Sequence, residues 1–339
     1  MKICIVYCYS KYPDYIRVKM LRETLMATEG VEVVYVKYTQ KSVLRYIEVL
    51  WETFKVRLSE RPDAYLLAFR GYELLPAVRV LTLGKPFIYD EFINPLEWVF
   101  HEHAKFKAGG IIEKITRSVY RFWCKSTTVI LADTASHADI SAELSGISRS
   151  HYMPLIVSTD ETLFAEHKSS RRTTGQFNVF YYGNMLPLHG AGVVIEAMKL
   201  LQDKDISLTL IGGKENTAQS VEVAVKSGAK IEYKSWVEFD ELPGYMQRAD
   251  VCLAGPFGGT YQAQFVITGK AYQYLQMGRP TIIGANKESH IFTDRENALV
   301  VEQNSPQALA AAITWTYEHR SELERIGQAG HELYQAKLS

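Results

Sequence analysis

The sequence predicts an α/β protein built as two halves, each a parallel sheet covered by helices. Three observations carry this expectation. Short apolar runs alternate with segments of helical period along most of the chain; a polar, small-residue stretch at 166–175 interrupts the alternation; and the same rhythm restarts behind it. Strand–helix–strand repeats imply a parallel sheet with both faces covered, whose strands read as near-continuous apolar runs. The length of 339 residues also suits two domains at roughly 150 residues each. The expected bounds are 1–165 for the first half, 166–176 for the linker and 177–339 for the second.

In the first half, Ile3 to Tyr7 is the opening strand. Pro13 to Ala27 follows with Ile16, Met20, Leu21, Thr24 and Leu25 at helical spacing, and Gly30 ends it. Val31 to Val36 is a second strand. Val43 to Leu58 is helical, with Leu44, Ile47, Leu50, Trp51 and Phe54 on one stripe. Ala64–Phe69, Pro86–Tyr89 and Thr128–Ala132 are further strands separated by helical segments. In the second half the strands are Phe177–Tyr182, Ser207–Ile211, Val251–Leu253, Thr281–Ile283 and Leu299–Val301. Gly190–Leu201, Gly269–Met277 and Pro306–Tyr317 are helices. Ligands of such sheets sit at the carboxyl ends of the strands, which places the expected site in a cleft between the halves.

Composition narrows the function. Thirty-eight basic residues balance thirty-eight acidic ones, whereas a nucleic-acid binder carries a basic excess, so no nucleic acid is expected as partner. An apolar fraction of 47% with 22% charged residues excludes a disordered chain. Cys4, Cys8, Cys124 and Cys252 form no CxxC pair and no zinc spacing, which reads as reduced core thiols in a cytoplasmic protein. Met1-Lys2 leads straight into a strand, unlike a signal peptide. No uncharged apolar run approaches the ~20 residues of a membrane span. The chain is therefore expected to be soluble or to lie on a membrane surface, at the inner face. The 41–61 helix mixes Tyr46, Trp51 and Phe54 with Arg45, Lys55 and Arg57. It suits an anionic membrane, but packing on the sheet is the favoured expectation.

The stretch from Phe257 to Pro280 carries the most chemistry. Gly258 and Gly259 let the backbone approach a ligand closely. Thr268 is placed to cap a helix starting at Gly269 or Lys270. A helix start offers free N–H groups to a phosphate or diphosphate. Lys270 adds a mobile cation, which opposes the helix dipole unless an anion sits there. His101-Glu102-His103 invites a metal reading, but helical residues two apart point in different directions, and no metal site is expected. No GxSxG, HExxH or Walker loop is present.

Taken in order, these segments resemble family-4-type (group 1) glycosyltransferases of the GT-B fold, in which two Rossmann-like domains face each other across a cleft. Lys270 to Ile283 is similar to the family's K-x-x-E-Y/A-L-A-x-G-K/R-P-V-I stretch. Phe177 to Ala197, Trp236 to Pro243, Ala249 to Val251, Glu296 to Val301 and Ser305 to Leu309 resemble its other signatures. So do Gly84 to Asp90 and Pro154 to Phe164 in the first half. The resemblance implies retaining, metal-independent transfer of a sugar from a nucleotide-sugar, bound as substrate without a further cofactor. The acceptor would be a glycan or lipid-linked sugar of polysaccharide biosynthesis, held by the first domain.

The resemblance also implies roles. Lys270 and the N–H groups of Val266 and Ile267 would hold the diphosphate, with Gly183, Asn184, Gly258 and Gly259 close to the donor. Gln273 would touch the ribose, and Val237 would meet the base through its backbone. His189 replaces a family lysine and acts as a cation or a hydrogen-bond donor according to its pKa. Asp90 and neighbouring Glu91 would face the acceptor, while Arg17 is expected on the surface. Three positions depart from the family: Gln273 replaces a glutamate, Phe265 replaces a second glutamate, and Gly183-Asn184 replaces Gly-Arg. A Gly-Gly loop is missing at Tyr9–Asp14, and the resembling family continues past Gln335–Ser339 with a helix that crosses back, which implies a shortened or divergent terminus and a looser hinge. The alternatives left open are a non-catalytic nucleotide-sugar-binding subunit and a sugar-nucleotide epimerase.

Overall fold

The computed structural model describes residues 1–9, 15–40, 42–166 and 175–339. It divides into two compact units, Met1–Val157 and Ser158–Ser339. The division precedes the expected boundary at residue 165. The reason is local: Phe164 is fully buried and packs edge-on against Phe239, while Ser158 and Glu161 both hydrogen-bond the Tyr334 hydroxyl. Most of the expected linker, 167–174, lies outside the described residues, as do residues 10–14 of the first loop.

The first unit contains β1 (Lys2–Tyr7), α1 (Ile16–Ala27), β2 (Glu32–Lys37), α2 (Arg45–Ser59), β3 (Ala64–Leu67) and α3 (Leu75–Leu81). It continues with β4 (Phe87–Asp90), α4 (Ile111–Cys124), β5 (Val129–Ala132), α5 (Ala135–Ser145) and β6 (Tyr152–Pro154). The strands run parallel in the order β2-β1-β3-β4-β5-β6. Cys4 on β1 sits between Val34 and Tyr65, and Ile3 to Tyr7 are all buried, as an apolar run in a two-sided sheet requires. The chain steps one way from β1 to β2 and the other way from β2 through β6. With right-handed crossovers, α1 covers one face and α2 to α5 line up side by side on the other.

Helix α2 departs from the expected packing. Val49 and Thr53 are its buried residues, whereas Leu44, Ile47, Trp51 and Leu58 are between 53% and 66% exposed. The apolar stripe that the sequence shows on this helix therefore points outward, because the sheet takes the Val49–Thr53 side instead.

The second unit contains β7 (Phe177–Gly183), α6 (Ala191–Leu200), β8 (Ile206–Gly212), α7 (Glu215–Lys226), β9 (Ile231–Lys234) and α8 (Leu242–Arg248). Then come β10 (Val251–Leu253), α9 (Gly269–Gln276), β11 (Thr281–Gly284), β12 (Leu299–Val301), α10 (Pro306–Glu318) and α11 (Leu323–Lys337). The parallel order is β9-β8-β7-β10-β11-β12. Chain order thus reverses between β7 and β10, the arrangement of a dinucleotide-binding sheet, whose ligands lie beyond the strand ends at that reversal. Val179, Tyr181, Leu208, Leu210, Val251 and Ile282 are fully buried at its centre, with Val194, Met198 and Ile313 packed on them. All four cysteines are buried and unpaired by disulfides.

Candidate functional site

At the reversal in the second sheet, β7 ends on Gly183 with φ +146°. A Cβ here would lie 3.3 Å from His189 Nδ1 and 3.4 Å from Lys270 Nζ. Lacking a side chain, Gly183 lets both nitrogens stand close against its backbone. Lys270 stands in the first turn of α9 and is only 5% exposed. Its neighbour is the Tyr181 ring, 5.4 Å from Nζ, and among the described residues it makes no ion pair or hydrogen bond. Burial lowers its pKa to about 7. The expected mobile cation is thus a fixed, desolvated one.

His189 is fixed by a close backbone crossing. A Cβ on Gly258 would lie 2.2 Å from the Pro187 carbonyl oxygen, and one on Gly190 would lie 2.5 Å from the Gly258 nitrogen. The Gly258 N–H donates to the Leu188 carbonyl at 3.0 Å. Only glycines allow the 187–190 turn to rest on the 257–258 loop this way. His189 Nδ1 is buried without a hydrogen-bond partner among the described residues. Burial and the adjacent Lys270 hold the His189 pKa well below the ordinary histidine value, so the ring is neutral at pH 7 and is not a cation.

The other second-unit residues spread outward from this point. Gln273, one turn along α9 and buried, accepts a hydrogen bond from the Tyr182 hydroxyl. Val266 and Ile267 are buried immediately ahead of α9, and Asn286 Nδ2 donates to the Val266 carbonyl at 2.8 Å. Thr268 occupies the cap position but does not cap: its hydroxyl donates to the Ala254 carbonyl at 2.8 Å. Asn184 and Gly259 are exposed. Val237 is half-buried beyond β9, two strands away from β7. Phe265 is fully buried, at a position where a carboxylate would be desolvated.

The first unit holds a second constellation. Asp90, at the end of β4, is fully buried and paired with Arg17, with Nη2–Oδ1 at 2.8 Å and Nε–Oδ1 at 2.9 Å. Arg17 also donates from Nη1 to the Leu155 and Ile156 carbonyls at 2.7 and 3.1 Å. The expected surface arginine is thus a core residue, 1% exposed, because a carboxylate and two carbonyls take its donors. Asp90 Oδ2 also accepts the Phe69 N–H at 3.2 Å. Phe69 and Arg70, just past β3, have φ +20° and +57°. Arg70 then lies over the rings of Tyr9, Tyr72 and Trp98 at 5.0 to 5.9 Å. Strand order in this sheet reverses between β1 and β3. A cavity of about 210 Å³ opens at that spot, lined by Cys8, Tyr9, Arg45, Tyr46, Arg70 and Glu73 among others.

Beside it, past the ends of β4 and β5, lies a buried acid–base cluster. His137 Nδ1 bonds Asp133, and its Nε2 lies 3.9 Å from Glu97 Oε2. Burial alone would lower the His137 pKa, but Asp133, Glu97 and Glu91 raise it to about 9. Glu97 is pushed up to about 8 by burial, and neither of its oxygens accepts a hydrogen bond among the described residues. Glu91 is held by Tyr120 and Asn94 and is raised by burial. Sequence reading missed Arg70, Glu97, Asp133 and His137. Their signal is three-dimensional, since a lone acid or histidine after an apolar run looks like a turn residue. His101, Glu102 and His103 lie at the end of a π-helical turn, with His103 against Trp98. Among the described residues no three His, Cys, Asp or Glu side chains are grouped to hold a metal ion.

The family model described as "Glycosyl transferases group 1" matches residues 176–319. No curated protein sequence matches the chain. Solved structures share its fold over both units. Sucrose-phosphate synthase from Thermosynechococcus elongatus superposes with a TM-score of 0.74 at 13% identity, covering 99% of this chain and 94% of that one. Anabaena HepE in complex with UDP gives 0.71 at 12% identity, covering 99% and 95%, and its UDP-glucose complex gives the same figures. A glycosyltransferase from Rickettsia africae gives 0.66 at 12% identity, covering 100% and 94%. The chain therefore has the GT-B fold, and residues 176–319 of its second unit are similar to the group 1 glycosyltransferase family.

Proposed function

We propose that the protein is a retaining, metal-independent glycosyltransferase that moves a sugar from a nucleotide-sugar donor to a glycan or lipid-linked acceptor. One observation carries this reading: a buried Lys270 ammonium with no carboxylate partner among the described residues, beside a neutral His189 and the bare backbone of Gly183. An ionised lysine in that setting is costly unless an anion joins it. A diphosphate supplies that charge, and more of it develops as the sugar leaves. Lys270 then favours the departing group electrostatically, with His189 Nδ1–H as a second donor. Gln273 faces the ribose, and the Val237 backbone faces the base. HepE, with UDP and UDP-glucose bound, supports a nucleotide donor by similarity of fold.

On the acceptor side we assign contact to the Tyr9–Arg70–Glu73 cavity. Asp90 serves it as a positioning residue, through Phe69 and Arg17, since its carboxylate is already engaged. Lys270→Ala lowers affinity for nucleoside diphosphates by about 100-fold by titration calorimetry and lowers turnover as strongly, while the circular dichroism spectrum is unchanged. Undiminished affinity would remove Lys270 from the site. Because Lys270 must be protonated to attract the anion, wild-type affinity also falls as pH rises above 7. Gln273, Asn184 and Phe265 in place of charged family residues favour one rival, a subunit that binds the donor without transferring it. Tight binding combined with no donor hydrolysis and no transfer identifies that rival.

A further inference from the structure

We propose that the outer face of the α2–α4 layer docks the protein on an anionic lipid bilayer, with α4 as the principal contact. Helix α4 buries Glu113, Tyr120 and Cys124 against the unit. Its opposite face carries Ile111, Ile112, Ile115, Val119 and Phe122, each between 47% and 71% exposed. At 3.6 residues per turn these five form one continuous stripe, and Lys114, Arg121 and Lys125 fall along one flank of it. Lys105 and Lys107 add exposed cations just before the helix, around an exposed Phe106. Neighbouring α3 contributes Val80, and α2 contributes Ile47, Trp51 and Leu58, all more than half exposed. The apolar area thus runs over three adjacent helices, beyond what scattered surface residues produce.

The charge pattern decides the occupant. A second copy on this face would set Lys114, Arg121 and Lys125 against themselves, and the one acid of α4, Glu113, is buried and held by Arg117 and the Gly109 N–H. A convex helix with an aromatic and aliphatic stripe and a cationic flank is instead suited to lie in a bilayer interface, its apolar side chains among the acyl chains and its cations at phosphate depth. This face belongs to the first unit and the proposed diphosphate seat to the second, so the inference stands without the donor reading.

The test is co-sedimentation of the full chain with vesicles of phosphatidylglycerol and phosphatidylcholine, compared with phosphatidylcholine alone. The wild type binds the anionic vesicles at least ~10-fold more tightly, and binding weakens with salt. The pair Ile115→Ser/Phe122→Ser lowers binding about 10-fold, and Lys114→Glu/Arg121→Glu lowers it as much and removes the salt dependence. Both pairs keep the wild-type unfolding midpoint and sedimentation mass. Wild type that leaves the vesicles in solution overturns the proposal, and so do variants that bind as well as wild type. A variant that changes the mass of the free protein assigns the face to contact between copies and also overturns it.

Discussion

Lys270 and His137 are both buried titratable groups, yet their pKa values move in opposite directions. Among the described residues no counter-charge stands by Lys270, so desolvation lowers its pKa from 10.5 to about 7. The unfolded chain then holds a proton that the folded one releases between those values, and the wild type gains stability across that window. Lys270→Met should accordingly raise the unfolding midpoint of the ligand-free protein by a few degrees below pH 7. Its advantage over wild type should shrink to nothing towards pH 10.5, as thermal melts across pH will show. His137 has three carboxylates in reach, and its pKa rises from 6.5 to about 9. Its contribution is fully present below pH 6.5 and is lost as pH climbs through 9. His137→Gln should cost about 3 kcal/mol at pH 6 by urea titration and much less at pH 9.5. An equal loss at both values would show that packing, not charge, is what His137 supplies.

Among the elements, α1 shows how one side chain ties three segments. Arg17 joins the first turn of α1 to Asp90 at the end of β4 and to the carbonyls of 155–156 as the chain leaves β6. Arg17→Ala leaves Asp90 buried without its partner and should destabilise the protein by roughly 3–5 kcal/mol. Through Asp90 and Phe69 it should also loosen Arg70, so acceptor KM should rise more than donor KM. A uniform loss of activity would contradict that coupling. The strands were legible from their apolar runs, since a strand buried on both faces cannot hide its composition. Two escaped notice, β6 and β9. Both lie at sheet edges, and their partly exposed residues carry no strong pattern.

At the scale of the molecule, each unit has its own parallel sheet, its own core and its own strand-order reversal with functional groups beside it. The proposed diphosphate seat draws its groups, Gly183, His189, Gly258 and Lys270, from the second unit. A fragment spanning 158–339 should therefore fold alone and bind nucleoside diphosphates within about threefold of the full chain by calorimetry, yet transfer nothing. Loss of binding in a folded fragment would mean that the first unit contributes to the seat.

The sequence by itself determined the α/β class, the two-part organisation and the helix that starts at Gly269, because periodicity, turn glycines and a helix start are local features. The tertiary structure alone decided which charges are buried and with whom. Arg17 and Asp90 are 73 residues apart, and Tyr182 and Gln273 are 91 apart. It also turned the stripes of α2 and α4 towards solvent and made His189 neutral. The physical reason is that desolvation and ion pairing depend on what surrounds a group in space, and neighbours brought together by folding leave no mark in the chain on either side of it.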